Sequence, residues 1–516
     1  MNYRSSMALL SICVLVFLLD VEYSAVNLAL KSISDETNTT LNSVQWVLSA
    51  YVLVWGALVL PASRFGNIYG QRNMLFLGLF LFLLGAVMAG ASSTLEVLIA
   101  GRVVQGIGGA IFLPPCYSIV FAILPQNKQG IGIGIIAAMG SLGLAIGPSL
   151  SGLILDYSNW RWIFWSNVPL GLLSWVIGYF YIPKDIPLEA HENIDWLGVI
   201  SLTVGLGFCT YALNQIEASL NLSPTFLGSI ILGVSALYFF WKWNRRSINQ
   251  TLPSHLFQNR SFLVVISAAF LEGMIFANIL IMIGIYLQNI LKFSSMEAGA
   301  IFLAMSIPLG IISPLGGKMV DRFAGHIPVI LGSSFLFVSC FMMIFLNQHS
   351  SLTYVIISLA LNGIGIGLLY PALNTIALKV LKPEEVNYGS AAFTMAIMLG
   401  NTFSIILNAG LCVMVGQIKF QSLLSDLNFT LNENQKVTLK NLIAQIDHDP
   451  EQLALFPDAI KPTILSFLDH AFLSGFSITM MGATLCATII IVISWKKFKY
   501  QEKLSYGKVF SKGEKN

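Results

Sequence analysis

The sequence predicts an all-α polytopic membrane protein of fourteen transmembrane helices, arranged as two six-helix bundles with pseudo-twofold symmetry plus two inserted helices. Three observations carry this. Hydrophobic residues make up 56% of the chain and charged ones only 10%, whereas a soluble domain carries roughly 25% charged residues. The apolar residues are gathered into runs of about 20, the length that crosses a hydrocarbon core; segments 74–92, 262–287 and 327–346 hold one charge between them, Glu272. The remaining charges are distributed unevenly between alternate loops.

Taken in order, the apolar runs predict spans at 7–30, 44–62, 74–92, 95–123, 130–154, 167–183, 195–214, 225–242, 262–287, 296–317, 327–346, 352–376, 387–415 and 470–494. The first resembles a signal sequence, with Arg4 ahead of an apolar run. It lacks a small-residue cleavage site and is followed by Asp20 and Glu22, so an uncleaved span is expected. Span 130–154 is the weakest by hydropathy because it is rich in glycine.

Orientation follows from Lys and Arg. With the N-terminus in the cytoplasm, 20 of the 28 fall on the cytoplasmic side, among them Arg64, Arg72, Lys318 and Arg322, and 7 fall outside, leaving Arg102 within a span. Both termini are therefore expected to be cytoplasmic. The one long loop, 417–469, is extracytoplasmic and reads as a short amphipathic cap, from Val437, Leu439, Leu442, Ile443 and Ile446.

Two turns echo each other. Gly66, Gly70 and Arg72 follow the second span, and Gly317, Asp321 and Arg322 follow the tenth. Their matching positions divide the chain into an N-terminal six-helix bundle (1–185), two inserted helices (186–245), a C-terminal six-helix bundle (246–495) and a basic cytoplasmic tail (496–516). Parallel repeats of this kind place a binding site at the bundle interface near mid-membrane.

Several function classes find no support. The net charge of +3 is small and scattered, so nucleic acid is not an expected partner. No Walker loop, HExxH or GxSxG is present, and Gly363, Gly365 and Gly367 lie inside an apolar run, where they pack helices. An enzyme is not expected. The six cysteines fall in apolar segments without CxxC spacing and read as small core residues, so neither cofactor nor metal is expected. Without an ATP site, any energy must come from an ion gradient or from a solute's own gradient.

Charges within spans are expensive and need a reason. Asp20, Tyr23, Ser24, Asn27 and Lys31 recur along one helical stripe, which must face a cavity or another helix. Glu22 lies about 200° around the same helix from Asp20, so the two acids cannot share a face. One reading pairs an acid with Arg102 in a structural ion pair. The other uses the fact that a carboxyl in a site without water can load and release a proton near neutral pH. An acid whose distance to Arg102 changes with conformation would then couple protonation to shape. Glu272 occupies the middle of the ninth span, opposite the first helix, and reads either as a substrate or proton site or as a packing residue. Asn278 and Asn401 add amide groups, and Tyr51 and Trp55 could stack on a flat or cationic ligand. Gly143, Gly147 and Ser151, with Pro148 and Gly152 beside them, permit close helix approach and a bend.

In this order the motifs resemble the major facilitator superfamily, specifically its fourteen-helix drug:proton antiporter branch. The resemblance spans residues 15–495. Trp46 to Tyr51 looks like the branch's second-helix signature, and Ser63 to Arg72 like the superfamily's loop motif. Arg102, Gln105, Gly106, Gly108 and Gly109 look like the fourth-helix motif, whose Arg is implicated in proton coupling. Gly143 to Gly152 is similar to the antiporter motif of exporters, and Trp160 to Gly171, with Asn167 and Pro169, is also typical. Asn67, Ile68 and Gln71 depart from the loop motif, which weakens its expected charge latch; the second copy keeps Asp321 and Arg322. Counting from Asn27, the family's first-helix acid falls at Glu22, while the polar stripe favours Asp20; Glu22 ranks ahead and both stay candidates.

The resemblance implies a proton-coupled exporter of amphipathic, often cationic, small molecules working by alternating access. Export of one defined metabolite, such as a siderophore, a lipid or an amino-acid derivative, is the alternative, and a membrane sensor or scaffold the non-transport one. Proton coupling is assigned to Glu22, Asp20 and Arg102, and substrate contact to Asn27, Tyr51, Trp55, Gln105, Glu272, Asn278 and Asn401. Gating and packing fall to Gly66, Gly70, Arg72, Gly143, Gly147, Pro148, Gly152, Asp321 and Arg322. The expected partners are a small-molecule substrate, protons and the bilayer, with a periplasmic adaptor and outer-membrane channel as further candidates, for a monomer in a bacterial inner membrane.

Overall fold

The computed structural model describes all residues except 1, 38, 40, 45, 185–194, 219–223, 248–249, 324, 383–384, 427–460 and 514–516. The described residues are almost wholly helical and contain no strand. Hydrocarbon offers no partner for backbone N–H and C=O groups, and a helix satisfies them within the segment.

The long helices are α1 (Tyr3–Thr37), α2 (Trp46–Tyr69), α3 (Gln71–Gly90), α4 (Leu95–Ile123), α5 (Gln129–Tyr157), α6 (Asn167–Tyr181) and α7 (Trp196–Ala218). They continue with α8 (Pro224–Asn244), α9 (Arg260–Ile285), α10 (Ser295–Arg322), α11 (His326–Met343), α12 (Leu352–Lys379), α13 (Val386–Asp426) and α14 (Lys461–Gly513). Among the described residues, 11 helices are long and apolar enough to cross a membrane. The expected spans 130–154, 195–214 and 387–415 coincide with α5, α7 and α13, which fall outside those eleven. Helix α1 runs well past the expected 7–30. Both ends of the expected loop 417–469 are helical, as α13 reaches Asp426 and α14 begins at Lys461. The proposed cap at 437–446 lies outside the described residues.

Side chains sort as a lipid-facing protein requires. Leu227, Ile231, Leu232, Val234 and Tyr238 on α8 are exposed, as are Phe341 and Phe345 around the end of α11. Exposed apolar rows of this kind suit hydrocarbon and not water. Within the first half α1 packs on α5 and α3 on α4; in the second, α10 packs on α12 and α9 on α13. Helices α7 and α8 pack on each other, and α7 also rests on α2 and α13.

Glycines set the tightest contacts. A Cβ at Gly85 of α3 would lie 2.6 Å from the Gly101 carbonyl of α4, and one at Gly143 of α5 would lie 2.6 Å from the Phe17 carbonyl of α1. Gly147 faces Val21, Ser24 and Ala25 of α1. Gly152, expected in the same contact, would meet nothing within 4 Å, so close packing does not explain it. At Gly70 the turn between α2 and α3 takes φ 93°, a conformation that disfavours any Cβ.

The two halves meet on the side that carries the N-terminus. Asp321, at the end of α10, accepts the backbone N–H groups of Gly130 and Ile131 at 3.1 Å each, and Lys379 Nζ at 2.8 Å. Gly130 and Gly317 are backbone to backbone. On α13, Asn387 donates to the Ser63 carbonyl and accepts from Ser118 Oγ at 3.2 Å. Arg64 donates to Tyr388 Oη at 3.0 Å. The structure is therefore shut on this side.

Candidate functional site

Four helices bring a polar cluster together inside the first half. Glu22 of α1 and Arg102 of α4 are both fully buried and form an ion pair. The other Glu22 oxygen accepts from Asn167 Nδ2, at the start of α6. Arg102 also donates through Nε to the Val47 carbonyl at 2.9 Å and through Nη1 to Gln105 Oε1 at 2.9 Å. The Tyr51 ring lies 4.3 Å beneath the guanidinium. A charge in hydrocarbon persists only when paired and hydrogen-bonded; both charges here are paired and hydrogen-bonded, while Arg102 Nη2 is left buried without a hydrogen-bond partner.

This arrangement answers several expectations. The cation over Tyr51 is Arg102 itself, so that ring face is occupied. Gln105 belongs to the ion-pair cluster. Trp55 stands next to Tyr51, ring centroids 5.9 Å apart, with its indole Nε1 buried and unpaired. The side chains of Asn27 and Pro148 lie outside the described residues. Asn167 was quoted within a motif but not assigned a role; its signal was a polar side chain opening an otherwise apolar run.

Asp20 sits apart from this cluster. It is half-buried and lies beside Gly140 and Gly143 of α5; its carbonyl accepts from Ser24 Oγ at 3.0 Å, but its carboxyl forms no hydrogen bond or ion pair with a described residue. Its distance from the Glu22 cluster follows from helical spacing, because the two acids point about 200° apart.

The second half contributes its own uncompensated polar groups. Glu272 of α9 is 2% exposed and its Oε2 has no hydrogen-bond partner. Asn278 donates to the Thr479 carbonyl at 2.9 Å, tying α9 to α14. Asn401 Oδ1 is buried and unpaired, as are both side-chain polar atoms of Asn362. Between the halves, Tyr117 of α4 and Tyr370 of α12 share a hydrogen bond of 3.0 Å. Sequence reasoning missed Tyr117, Tyr370 and Asn387, because nothing local marks a residue whose partner is hundreds of positions away.

The residues expected to gate and pack divide. Gly66 faces Asn387 of α13. Arg72 donates to the Tyr179 carbonyl at 2.6 Å and so braces α3 against α6. Asp321 bridges the halves, while Arg322 is exposed. In the departed loop motif, Asn67 accepts from Gln71 at 3.0 Å, a neutral local contact.

The described residues thus form an all-helical membrane fold with a buried ion pair, an acid without a protein partner in each half, and contacts that join the halves on the N-terminal side. The chain belongs to the Major Facilitator Superfamily, a family of transporters, whose family model matches residues 10–405. It is 25% identical over 515 residues to the multidrug resistance protein Stp of Mycobacterium tuberculosis, covering 96% of this chain and 93% of Stp. It is 26% identical to the riboflavin transporter RibZ of Clostridioides difficile, covering 77% of this chain and 86% of RibZ. The crystal structure of the human organic anion transporter MFSD10 superposes with a TM-score of 0.61 at 12% identity, covering 95% of this chain and 100% of that one, which speaks for the fold alone. The protein is thus a multi-pass membrane protein.

Proposed function

We propose that the protein is a proton-coupled exporter of amphipathic, often cationic, small molecules, set in a bacterial cytoplasmic membrane with both termini in the cytoplasm. One observation carries the reading: Asp20 in the first half and Glu272 in the second are carboxyls without a protein partner. A carboxylate without a partner in a low-dielectric site must be neutralised. A proton can do this, and so can a cationic solute. The two then compete for one site, and exchange of one for the other across a rocking pair of bundles is antiport.

The Glu22–Arg102–Asn167 cluster serves a different purpose in this scheme. It locks α1 to α4 and α6, leaving Asp20 as the acid free to change partners. The resistance protein Stp supports drug export among the possible substrates. The orientation rests on the distribution of Lys and Arg.

Export of a single defined solute is the second reading. The unpaired amide of Asn362 favours it, since fixed hydrogen-bonding groups discriminate strongly among solutes, and RibZ is a relative with one named solute. Growth of an efflux-deficient host across a panel of toxic cations, alongside profiling of metabolites in its medium, separates the two. Broad protection supports the first reading, and one enriched metabolite without protection supports the second.

A further inference from the structure

A cavity of about 800 Å³ opens on the side that carries the N-terminus, between the ends of α1, α3, α4 and α6. Among the described residues its lining contains Arg4, Arg72 and Lys184 and no carboxylate. Aromatic and apolar groups, among them Phe76, Tyr179 and Ile123, form most of the remaining wall, with Ser5 and Asn73 beside them. Ser5 Oγ bonds the Ile123 carbonyl at 3.2 Å and Tyr3 packs edge-on against Tyr181 at 5.7 Å, so the cavity walls are joined to one another. Arg72 is held at the wall by the Tyr179 carbonyl.

The position is that of a headgroup layer. Each of the four helices is an apolar span, and the cavity lies where those spans end and cations begin. We propose that this cavity holds the phosphate headgroup of an anionic phospholipid, with the glycerol and upper acyl chain along the apolar wall. Cations between membrane helices attract anionic headgroups in this way. A free phosphate would use the cations but would gain nothing from Phe76, Ile123 and Ile182. The site is distant from Asp20 and Glu272, and its occupancy does not depend on what is transported.

The test is lipid retention by the full-length protein in detergent, read by native mass spectrometry after equilibration with equal amounts of phosphatidylglycerol and phosphatidylcholine. Wild-type protein is expected to retain phosphatidylglycerol selectively. The double variant Arg4→Gln, Lys184→Gln is expected to lose roughly thirty-fold in that retention, as each surface cation contributes about five-fold. Arg4→Lys with Lys184→Arg should keep it, and this variant also controls for folding. Unchanged phosphatidylglycerol retention in the glutamine variant would overturn the proposal. So would displacement of the lipid by inorganic phosphate at equal concentration, which would mark an anion site and not a lipid site.

Discussion

Tyr117 and Tyr370 meet hydroxyl to hydroxyl at 3.0 Å, one from each half of the chain. The proposed alternating access requires that such contacts break, so this pair would report which state the protein occupies. A neutral hydrogen bond contributes about 1 kcal/mol net. Tyr370→Phe should therefore move the equilibrium away from the state shut on the N-terminal side by roughly five-fold. Spin labels placed on α4 and α12 would read this as a larger fraction of long distances; an unchanged distribution would mean that the pair carries no weight in closure.

A stronger contact lies nearer the N-terminal side. Asp321 accepts two backbone N–H groups of α5 and the ammonium of Lys379, and hydrogen bonds to a charged group contribute about 1.5–3 kcal/mol. Asp321→Asn should loosen the seam more than Tyr370→Phe does. Cysteine accessibility in the segment 130–134 measures it, with faster labelling expected in the variant.

The glycine contacts predict two distinct failures. Gly143→Ala would drive a methyl against the Phe17 carbonyl within the first half, which should lower thermal stability in every state by about 1–3 kcal/mol. Gly130→Ala places its methyl against Gly317 across the seam, so it should hinder only the shut state and leave the fold intact. Gly152→Ala, which meets nothing within 4 Å, is the neutral comparison. Melting temperatures and labelling rates measured together distinguish the three.

Outside the spans, Glu36 at the end of α1 accepts from Arg161 at 2.6 Å and from Trp160 at 2.7 Å. The Arg161 hydrogen bond holds its carboxyl below the ordinary value of 4.5. A depressed folded-state value means that this contact stabilises above the ordinary value and fades as pH falls through the folded one. The carboxylate is half-exposed, so screening keeps the effect under about 1 kcal/mol. Glu36→Gln should melt slightly earlier than wild type near neutral pH and match it in strong acid. A difference that persists in acid would rule out the ionised contact as its source.

Much of the fold was legible because hydrocarbon imposes simple demands. The length and polarity of the runs at 74–92 and 327–346 leave little alternative to spanning helices. The angle between Asp20 and Glu22 was likewise contained in their spacing. What lay beyond the sequence were partners set by tertiary approach. Nothing near Glu22 names Asn167, 145 positions away, and nothing near Ser63 names Asn387. The Tyr51 face looked available for a ligand until Arg102 was placed over it, because one helix alone does not show what a neighbour covers. Gly152 carried the same small-residue signal as Gly143, yet it turns away from α1.

The central claim is that Asp20, and not the locked Glu22, exchanges a proton for substrate. Glu22→Gln would leave Arg102 buried without its counter-charge, a loss of about 3–5 kcal/mol, so its failure would be one of folding. Asp20→Asn removes a carboxyl that bonds no described residue, so the fold should survive. The direct measurement is dissipation of a preformed proton gradient in everted vesicles on addition of a cationic substrate. The account predicts dissipation with wild-type protein and none with an Asp20→Asn variant of equal abundance and melting temperature. Equal dissipation by both proteins, or none by wild type across the cation panel, would contradict it.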